Sequence, residues 1–307
     1  MADYSALARE LAASVPGLEI RENEPMSERC SFKIGGPARL FIMPSDAQSA
    51  AGAMRALRSA GVKTLIVGSC TNLLVPDEGI DGAVVCMSRP ASEITSAGEG
   101  RVRAMSGATL NSLAVFAMNE GLTGLEFAHG IPGSVGGGIA MNAGAYGGEM
   151  KDVVESAEFI DSDGEIRSLD AGELDMSYRH SVFSDTDKLI TSAVFRLERG
   201  DRESIRARMQ ELIEKRRASQ PLDMPSAGST FKRPSVGYAA ALIDGCGLKG
   251  FSVGGAMVSA KHAGFVVNAG GATYDDVLSV MREVRRRVYE SAGVVLEPEV
   301  KLLGKGL

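Results

Sequence analysis

Gly121 to Gly148 reads GLTGLEFAHGIPGSVGGGIAMNAGAYGG, and the rest of the chain is arranged around it. Glycine crowds the stretch, yet Leu125, Phe127, Ile131, Val135, Ile139 and Met141 run through it, which a flexible glycine-serine linker lacks. Apolar anchors pin such a segment in an interior, while residues without Cβ let the main chain come close to whatever faces it. Successive backbone N–H groups in turns of this kind form concavities that hold anions, phosphates among them. Two readings stand side by side: a buried crossover loop, or a cradle for a ligand.

On either side of it the chain alternates strand and helix patterns. Tyr4 to Ala13 reads as an entry helix followed by a polar connector to residue 30, then SFKIGGPA (31–38) and an apolar run from Leu40 to Met43. Pro44-Ser45-Asp46 opens a helix with Ser45 as N-cap, its face formed by Ala47, Ala50, Met54 and Leu57 and its end set by Gly61. Val62 to Val67 reads as a buried strand that runs into GSCTNLLV (68–75). That turn suits a phosphate or is a plain strand-to-loop connection; it matches neither the GxGxxG nor the Walker pattern. Strands at Ala83–Met87 and Val102–Met105 precede a helix from Leu110 to Asn119.

Beyond the glycine stretch, Val153–Ile160 and Glu165–Leu169 flank Asp161-Ser162-Asp163-Gly164, a hairpin signal. Leu189–Leu197 reads as strand. Asp201–Ala218 reads as a charged helix with Ile205, Met209, Leu212 and Ile213 inward, and a domain boundary is expected there. A short helix near Tyr238–Asp244, a strand over Ala263–Val267, a helix capped by Thr273 and a closing strand from Val294 to Leu303 complete the pattern.

The 307 residues carry a net charge of −6, which excludes a general nucleic-acid binder. No run approaches the ~18 apolar residues of a membrane span, and the N-terminus lacks an apolar signal core, so a cytoplasmic protein is expected. Cys30, Cys70, Cys86 and Cys246 form no CxxC pair and His129, His180 and His262 are scattered, so neither a disulfide frame nor a metal site is expected.

Three further stretches carry polar chemistry. In Tyr178-Arg179-His180-Ser181, Arg179 suits a two-pronged contact with a carboxylate or phosphate, or is a surface-loop arginine. Ser229, in AGSTFKRP (227–234), is a proton donor or nucleophile, or a turn serine; no GxSxG elbow surrounds it. In LEPEVK (296–301) an alternating strand puts Glu297, Glu299 and Lys301 on one face.

Together with KHAGFVVN (261–268), these pieces resemble, in order and nearly end to end, the UDP-N-acetylenolpyruvoylglucosamine reductase (MurB) family of bacterial peptidoglycan precursor synthesis. The length resembles its shorter, type II form. The resemblance implies an α+β protein with a vanillyl-alcohol-oxidase (PCMH-type) FAD-binding fold in two subdomains, 1–85 and 86–200, plus a C-terminal α+β substrate domain, 201–307. It implies FAD as cofactor, NADPH as hydride donor, and reduction of the enolpyruvyl sugar nucleotide to UDP-N-acetylmuramate.

Carried over by motif, Gly68, Ser69, Cys70, Thr71, Asn72 and Leu73 would cradle the FAD pyrophosphate. Gly130, Ile131, Pro132, Gly133, Ser134, Gly136, Gly137, Asn142, Ala143 and Gly144 would line the rest of the cofactor site. Arg179, Ser229 and Glu299 fall on catalytic positions and Tyr178 and Arg233 on substrate-contacting ones, with Arg216 and Arg217 as candidates for the uridine diphosphate. Two departures stand out. The family's glycine-rich GGGSN turn is Gly68-Ser69-Cys70-Thr71-Asn72 here, and Arg233 replaces an asparagine found in some members. The rivals are another PCMH-type flavin oxidase and a nucleotide-binding regulatory module.

Overall fold

A computed structural model describes residues 3–304 and 306–307, with the side chain of residue 89 left aside. The chain divides into two compact units: Met1–Glu24, Ala38–Ser69 and Asp81–Lys215 form the first, and Pro25–Pro37, Cys70–Ile80 and Arg216–Leu307 the second.

The first unit carries two sheets. One has the strand order Leu18–Pro25, Pro37–Pro44, Ile80–Cys86, Thr64–Val67, the last two parallel. Its core is aliphatic, with Leu11, Leu40, Ile42, Leu57 and Val85 buried together. The other is antiparallel, in the order Ile166–Asp170, Val154–Ile160, Leu189–Arg196, Arg101–Met105, Ile94–Ser96. The helices Leu110–Asn119 and Val135–Ala140 belong to its core through Leu110, Leu113, Val135 and Ile139, packed with Phe195. The Asp161–Gly164 hairpin forms as expected. Asp161 Oδ1 accepts the Asp163 and Glu165 N–H groups at 2.8 and 3.0 Å, and Gly164 supplies φ +81°.

The second unit is built on the helix Tyr274–Ala292, whose Val277, Val280, Met281, Val284 and Val288 are buried as their spacing predicts. Thr273 caps it, accepting from Asp276 N, and Gly293 at φ +66° ends it. Packed in the same core are Val258 and Val266 from a three-stranded antiparallel sheet, together with Phe32 and Leu74 from the two early segments.

Three local expectations change. Residues 18–25 form a strand rather than a polar connector: it is the edge of its sheet, where one side is solvated and LEIRENEP shows little apolar alternation. The helix Ala47–Ser59 is capped by Asp46, not Ser45; Asp46 accepts from Ser49 N at 2.8 Å, while Ser45 N is bonded to Gly17 O. The closing strand shrinks to Lys301–Leu302, paired in parallel with Leu73–Leu74. Pro298, which has no N–H to donate, makes only an isolated bridge with Phe231. No described helix is long and apolar enough to cross a membrane.

Candidate active site

In the first unit the strand Thr64–Val67 delivers Gly68 against Ser134. A Cβ on Gly68 would run into Ser134 Oγ and lie 3.6 Å from Gly137 N. Ser134 caps the short helix Val135–Ala140, accepting from Gly137 N at 3.3 Å. The glycines of that helix divide by role. A Cβ on Gly136 would meet Ser106 Cβ at 2.9 Å, and one on Gly138 would meet Leu110 Cδ2 at 3.0 Å, so both keep room for the protein's own side chains. Gly137 has only the Ser134 hydroxyl near it, at 3.4 Å. The N–H groups at the start of this helix are used within the protein: besides Gly137, Val135 donates to Ala108 O at 2.8 Å, Gly136 to Ser106 O at 2.9 Å and Gly138 to Ser134 O at 2.8 Å. Leu110 N closes the register by donating to Gly133 O.

Asn142 is fully buried at φ +41°, a conformation asparagine tolerates better than most residues. Its Nδ2 donates to Glu149 Oε2 (3.0 Å) and Ser177 O (2.9 Å), and its Oδ1 accepts from Lys151 N (3.0 Å). Ala143 N donates to Gly138 O, and Gly144-Ala145 pairs with Gly148-Glu149 across a two-residue turn, Tyr146-Gly147, with φ of +54° and +90°. Gly130 and Gly133 also take positive φ, around Ile131 and Pro132.

Arg179 sits at φ +55° in a tight turn closed by reciprocal Ser177–His180 backbone bonds of 3.1 Å, its guanidinium 4.9 Å from the exposed Tyr178 ring. A non-glycine residue held there stores strain, which is often found at functional positions. Ser181 Oγ anchors the turn to Ala140 O at 2.9 Å, so Asn142 and Ser181 together fasten Tyr178-Arg179 to the glycine stretch. The Lys151 ammonium, 2.8 Å from Glu149, holds that carboxyl below its usual range despite partial burial, with smaller help from Asn142, and from the Arg179 charge.

The second unit gathers the remaining motifs. Cys70, at φ +52°, accepts from Ser31 N at 3.2 Å, and Ser31 Oγ donates to Ser226 O at 2.7 Å. Asn72 Nδ2 donates to Glu299 O (3.1 Å) and Asn72 O accepts from Lys301 N (3.0 Å), which fixes the turn after Cys70 and Thr71 to the terminal segment. Leu73 is buried where that pairing begins. SFKIGGP wraps the following loop: Gly36 N donates to Pro76 O, and a Cβ on Gly36 would strike Asp77 O. Cys30 and Cys70 are buried free thiols, and a hydrogen bond with Cys70 draws the Cys30 pKa down against burial.

Ser229 and Glu299 come together through backbone pairing. Glu299 N donates to Thr230 O (2.9 Å), Phe231 bridges Pro298, and Lys232 N donates to Glu297 O (2.8 Å). Ser229 is exposed beside Gly228 (φ +78°), and Glu299 is half-buried. Arg233 lies exposed with its guanidinium 4.3 Å from the Tyr238 ring. Arg217 is exposed near the end of the Arg202–Ser219 helix and accepts Lys261 Nζ at its carbonyl, while Arg216 is buried. Arg179 and Tyr178 thus belong to the first unit, and Ser229, Glu299, Arg217 and Arg233 to the second. Sequence reasoning placed Ser31 and Ser181 in motifs without assigning either a role, missed Glu149, which lies in no motif, and read Asn142 without its role as a structural hub.

A model of the UDP-N-acetylenolpyruvoylglucosamine reductase C-terminal domain matches residues 220–303, and one of the FAD binding domain matches 38–170. The UDP-N-acetylenolpyruvoylglucosamine reductase of Caldanaerobacter subterraneus subsp. tengcongensis is 46% identical over 92% of this chain and 93% of its own length. The chain belongs to the UDP-N-acetylenolpyruvoylglucosamine reductase family. Its relative in Pediococcus pentosaceus is 43% identical over 97% of this chain and 98% of its own. The crystal structure of the Thermus caldophilus reductase superposes with TM-score 0.79 at 32% identity, covering 94% of this chain and 99% of that one. A weaker likeness to alkyldihydroxyacetonephosphate synthase (16% identity, TM-score 0.51, 64% of this chain and 41% of that one) shows the fold alone. The α+β class and the PCMH-type FAD-binding fold expected of this family stand.

The residues of the first unit fit a bound dinucleotide. Among the described residues, Ser106 Oγ and His129 Nδ1 are buried without a hydrogen-bond partner. Native interiors rarely leave such groups unmatched unless something else satisfies them. No cluster of His, Cys, Asp and Glu suited to a metal occurs among the described residues.

Proposed function

We propose that the chain is a UDP-N-acetylmuramate dehydrogenase, reducing UDP-N-acetylglucosamine enolpyruvate with NADPH through FAD. The observation that carries the reading is the family match at both ends of the chain, the FAD binding domain over 38–170 and the reductase domain over 220–303. Residues 1–85 and 86–200 serve the cofactor and 201–307 the substrate, and the place of work is the cytoplasm, where a sugar nucleotide and NADPH are at hand.

Gly68 to Leu73, Gly130 to Ser134, Gly136, Gly137 and Asn142 to Gly144 hold FAD in this reading. When bound, FAD relays a hydride from NADPH to the enolpyruvyl double bond. Negative charge then builds on the carbon bearing the substrate carboxylate, and fixed donors aimed at developing charge are usually the largest catalytic effect. Arg179 supplies one, a planar guanidinium suited to a carboxylate and already constrained by its turn. Glu299, half-buried and pinned by its own backbone, donates a hydrogen bond to the same carboxylate when protonated. Ser229 gives its proton to the adjacent carbon, a transfer open to a weak acid because the developing carbanion is strongly basic. Tyr178, Arg217 and Arg233 contact the rest of the substrate.

The test is anaerobic. NADPH should bleach the flavin absorption of the purified protein, and the enolpyruvyl sugar nucleotide should restore it with no oxygen present. A flavin that oxygen reoxidises and the nucleotide does not would make the protein an oxidase, and a colourless protein that takes up no FAD would end the flavoenzyme reading.

A further inference from the structure

Glu149 follows the glycine stretch and pairs across its closing hairpin with Gly144, its own N–H held by Asp152 Oδ2 at 2.8 Å. Its half-buried carboxylate collects three donors: Asn142 Nδ2 at 3.0 Å, Lys151 Nζ at 2.8 Å and the backbone N–H of Asp152. The Lys151 ammonium above all keeps that carboxyl below its usual range, so it is ionised at neutral pH. Asn142 is engaged on both sides in turn. One Nδ2 hydrogen goes to Glu149 and the other to Ser177 O at 2.9 Å, while Oδ1 takes Lys151 N at 3.0 Å. Turning the amide over would set Oδ1 against two acceptors and Nδ2 against a donor, so the Glu149 carboxylate and the Ser177 carbonyl together fix its orientation. Ser177 is also where the Arg179 turn begins, its N–H and carbonyl both bonded to His180 at 3.1 Å. Arg179 is held at φ +55° inside that turn, a conformation that persists only where the surroundings over-determine it. After the turn, Ser181 Oγ is bound to Ala140 O; before it, Ser177 O is bound to the Asn142 amide, which Glu149 holds in place. Hydrogen bonds linked in this way polarise and strengthen one another.

We propose that Glu149 is a positioning residue for reduction of the enolpyruvyl substrate, holding the Arg179 turn through Asn142 and so setting where the guanidinium meets the substrate carboxylate. The inference rests on the role given to Arg179 above. What counts is the reach of the acceptor oxygen rather than the charge of the carboxylate, since Asn142 donates to a carboxylate or an amide oxygen alike. Flavin reduction by NADPH makes no use of a group aimed at the substrate carboxylate, so the two half-reactions respond differently.

The experiment follows both half-reactions by anaerobic stopped-flow absorbance in the full-length, FAD-loaded protein, as wild type, Glu149→Ala, Glu149→Gln, Glu149→Asp, Arg179→Lys and the double variant of Glu149→Ala with Arg179→Lys. In Glu149→Ala the flavin should be reduced by NADPH as in wild type. Its reoxidation by the enolpyruvyl sugar nucleotide should slow about 10- to 100-fold, the scale of a displacement of about 1 Å at a reacting centre. Glu149→Gln, which keeps an oxygen within reach of Asn142, should recover most of that rate, whereas Glu149→Asp, charged but one methylene shorter, should not. In the Arg179→Lys background, Glu149→Ala should cost nothing further, because the group it positions is gone. Equal slowing of both half-reactions, multiplied losses in the double variant, or a slow glutamine variant beside a fast aspartate one would overturn the positioning role and leave the reductase reading intact. An Arg179→Lys protein reoxidised at the wild-type rate would remove the Arg179 role and this inference with it. A wild type whose reduced flavin the nucleotide does not reoxidise would end the reductase reading as well.

Discussion

Replacing Gly68 by alanine tests whether this glycine is demanded by the protein wall it faces or by flexibility in its turn. Its φ is unexceptional for an L-residue, so backbone strain plays no part. The new Cβ, however, would overlap Ser134 Oγ, and relief requires Ser134 to rotate off Gly137 N and abandon its cap. Overpacking costs about 1–3 kcal/mol and the lost cap about 1 kcal/mol, so Gly68→Ala should cost about 2–4 kcal/mol. Ser134→Ala alone should cost about 1 kcal/mol. With the hydroxyl gone, the nearest atom to the new Cβ is the Cβ of residue 134 at 3.4 Å, an ordinary contact. The double variant should then cost about 1 kcal/mol rather than the sum of the singles, which is strong coupling between neighbours. Urea unfolding of the apoprotein reads all four corners of the cycle, and FAD titration should follow the same order. The larger Gly68→Val should be purified without flavin. Additive costs in the cycle, or full flavin occupancy in the valine variant, would refute the collision argument.

Ser229→Ala should leave reduction of the flavin by NADPH intact and slow its reoxidation by the enolpyruvyl substrate severely; stopped-flow absorbance follows each half, and equal loss in both would remove the proton-donor role. Asn142→Ala should destabilise the protein by about 3–4 kcal/mol, because three hydrogen bonds worth about 1 kcal/mol each go and alanine tolerates φ +41° poorly. Denaturant midpoints check it, and a loss below 1 kcal/mol would show that the hub is dispensable. Arg167 holds the Asp161 carboxyl down to about 2 from an ordinary 3.8. Because the folded value is the lower one, the stabilisation is full above pH ~4 and fades as the pH drops toward 2. Arg167→Gln should therefore be less stable than wild type at neutral pH and converge with it in acid; a gap that persists at pH 2 would contradict the pairing.

The elements with a regular period were legible in the residues alone. Leu110–Asn119, the Tyr274–Ala292 helix with Thr273 as cap, and the Asp161–Gly164 hairpin form where apolar spacing and turn residues put them. Such signals are local, and a few neighbouring side chains decide them. The edge strand Leu18–Pro25 escaped because LEIRENEP is exposed or half-buried along its length, with Glu24 its one buried residue, and so carries no apolar pattern over most of it. The closing strand is shorter than its apolar content suggests because Pro298 has no N–H to extend a ladder, so its pairing with Phe231 stays an isolated bridge and only Lys301–Leu302 forms regular strand.

For the site, the residue types and their order in the chain fixed the family, and with it the chemistry to look for. Spacing along the chain carried no information about which glycines make room for Ser106 and Leu110 and which faces Ser134, since every glycine looks alike until its neighbours in space are known. Nor did it show that Ser31 would meet Ser226, or Asn72 the backbone of Glu299, across more than half of the chain. Contacts between residues so far apart have no period and no local signature. They exist only once burial has brought the segments together, and tertiary structure alone decides which polar groups meet a partner.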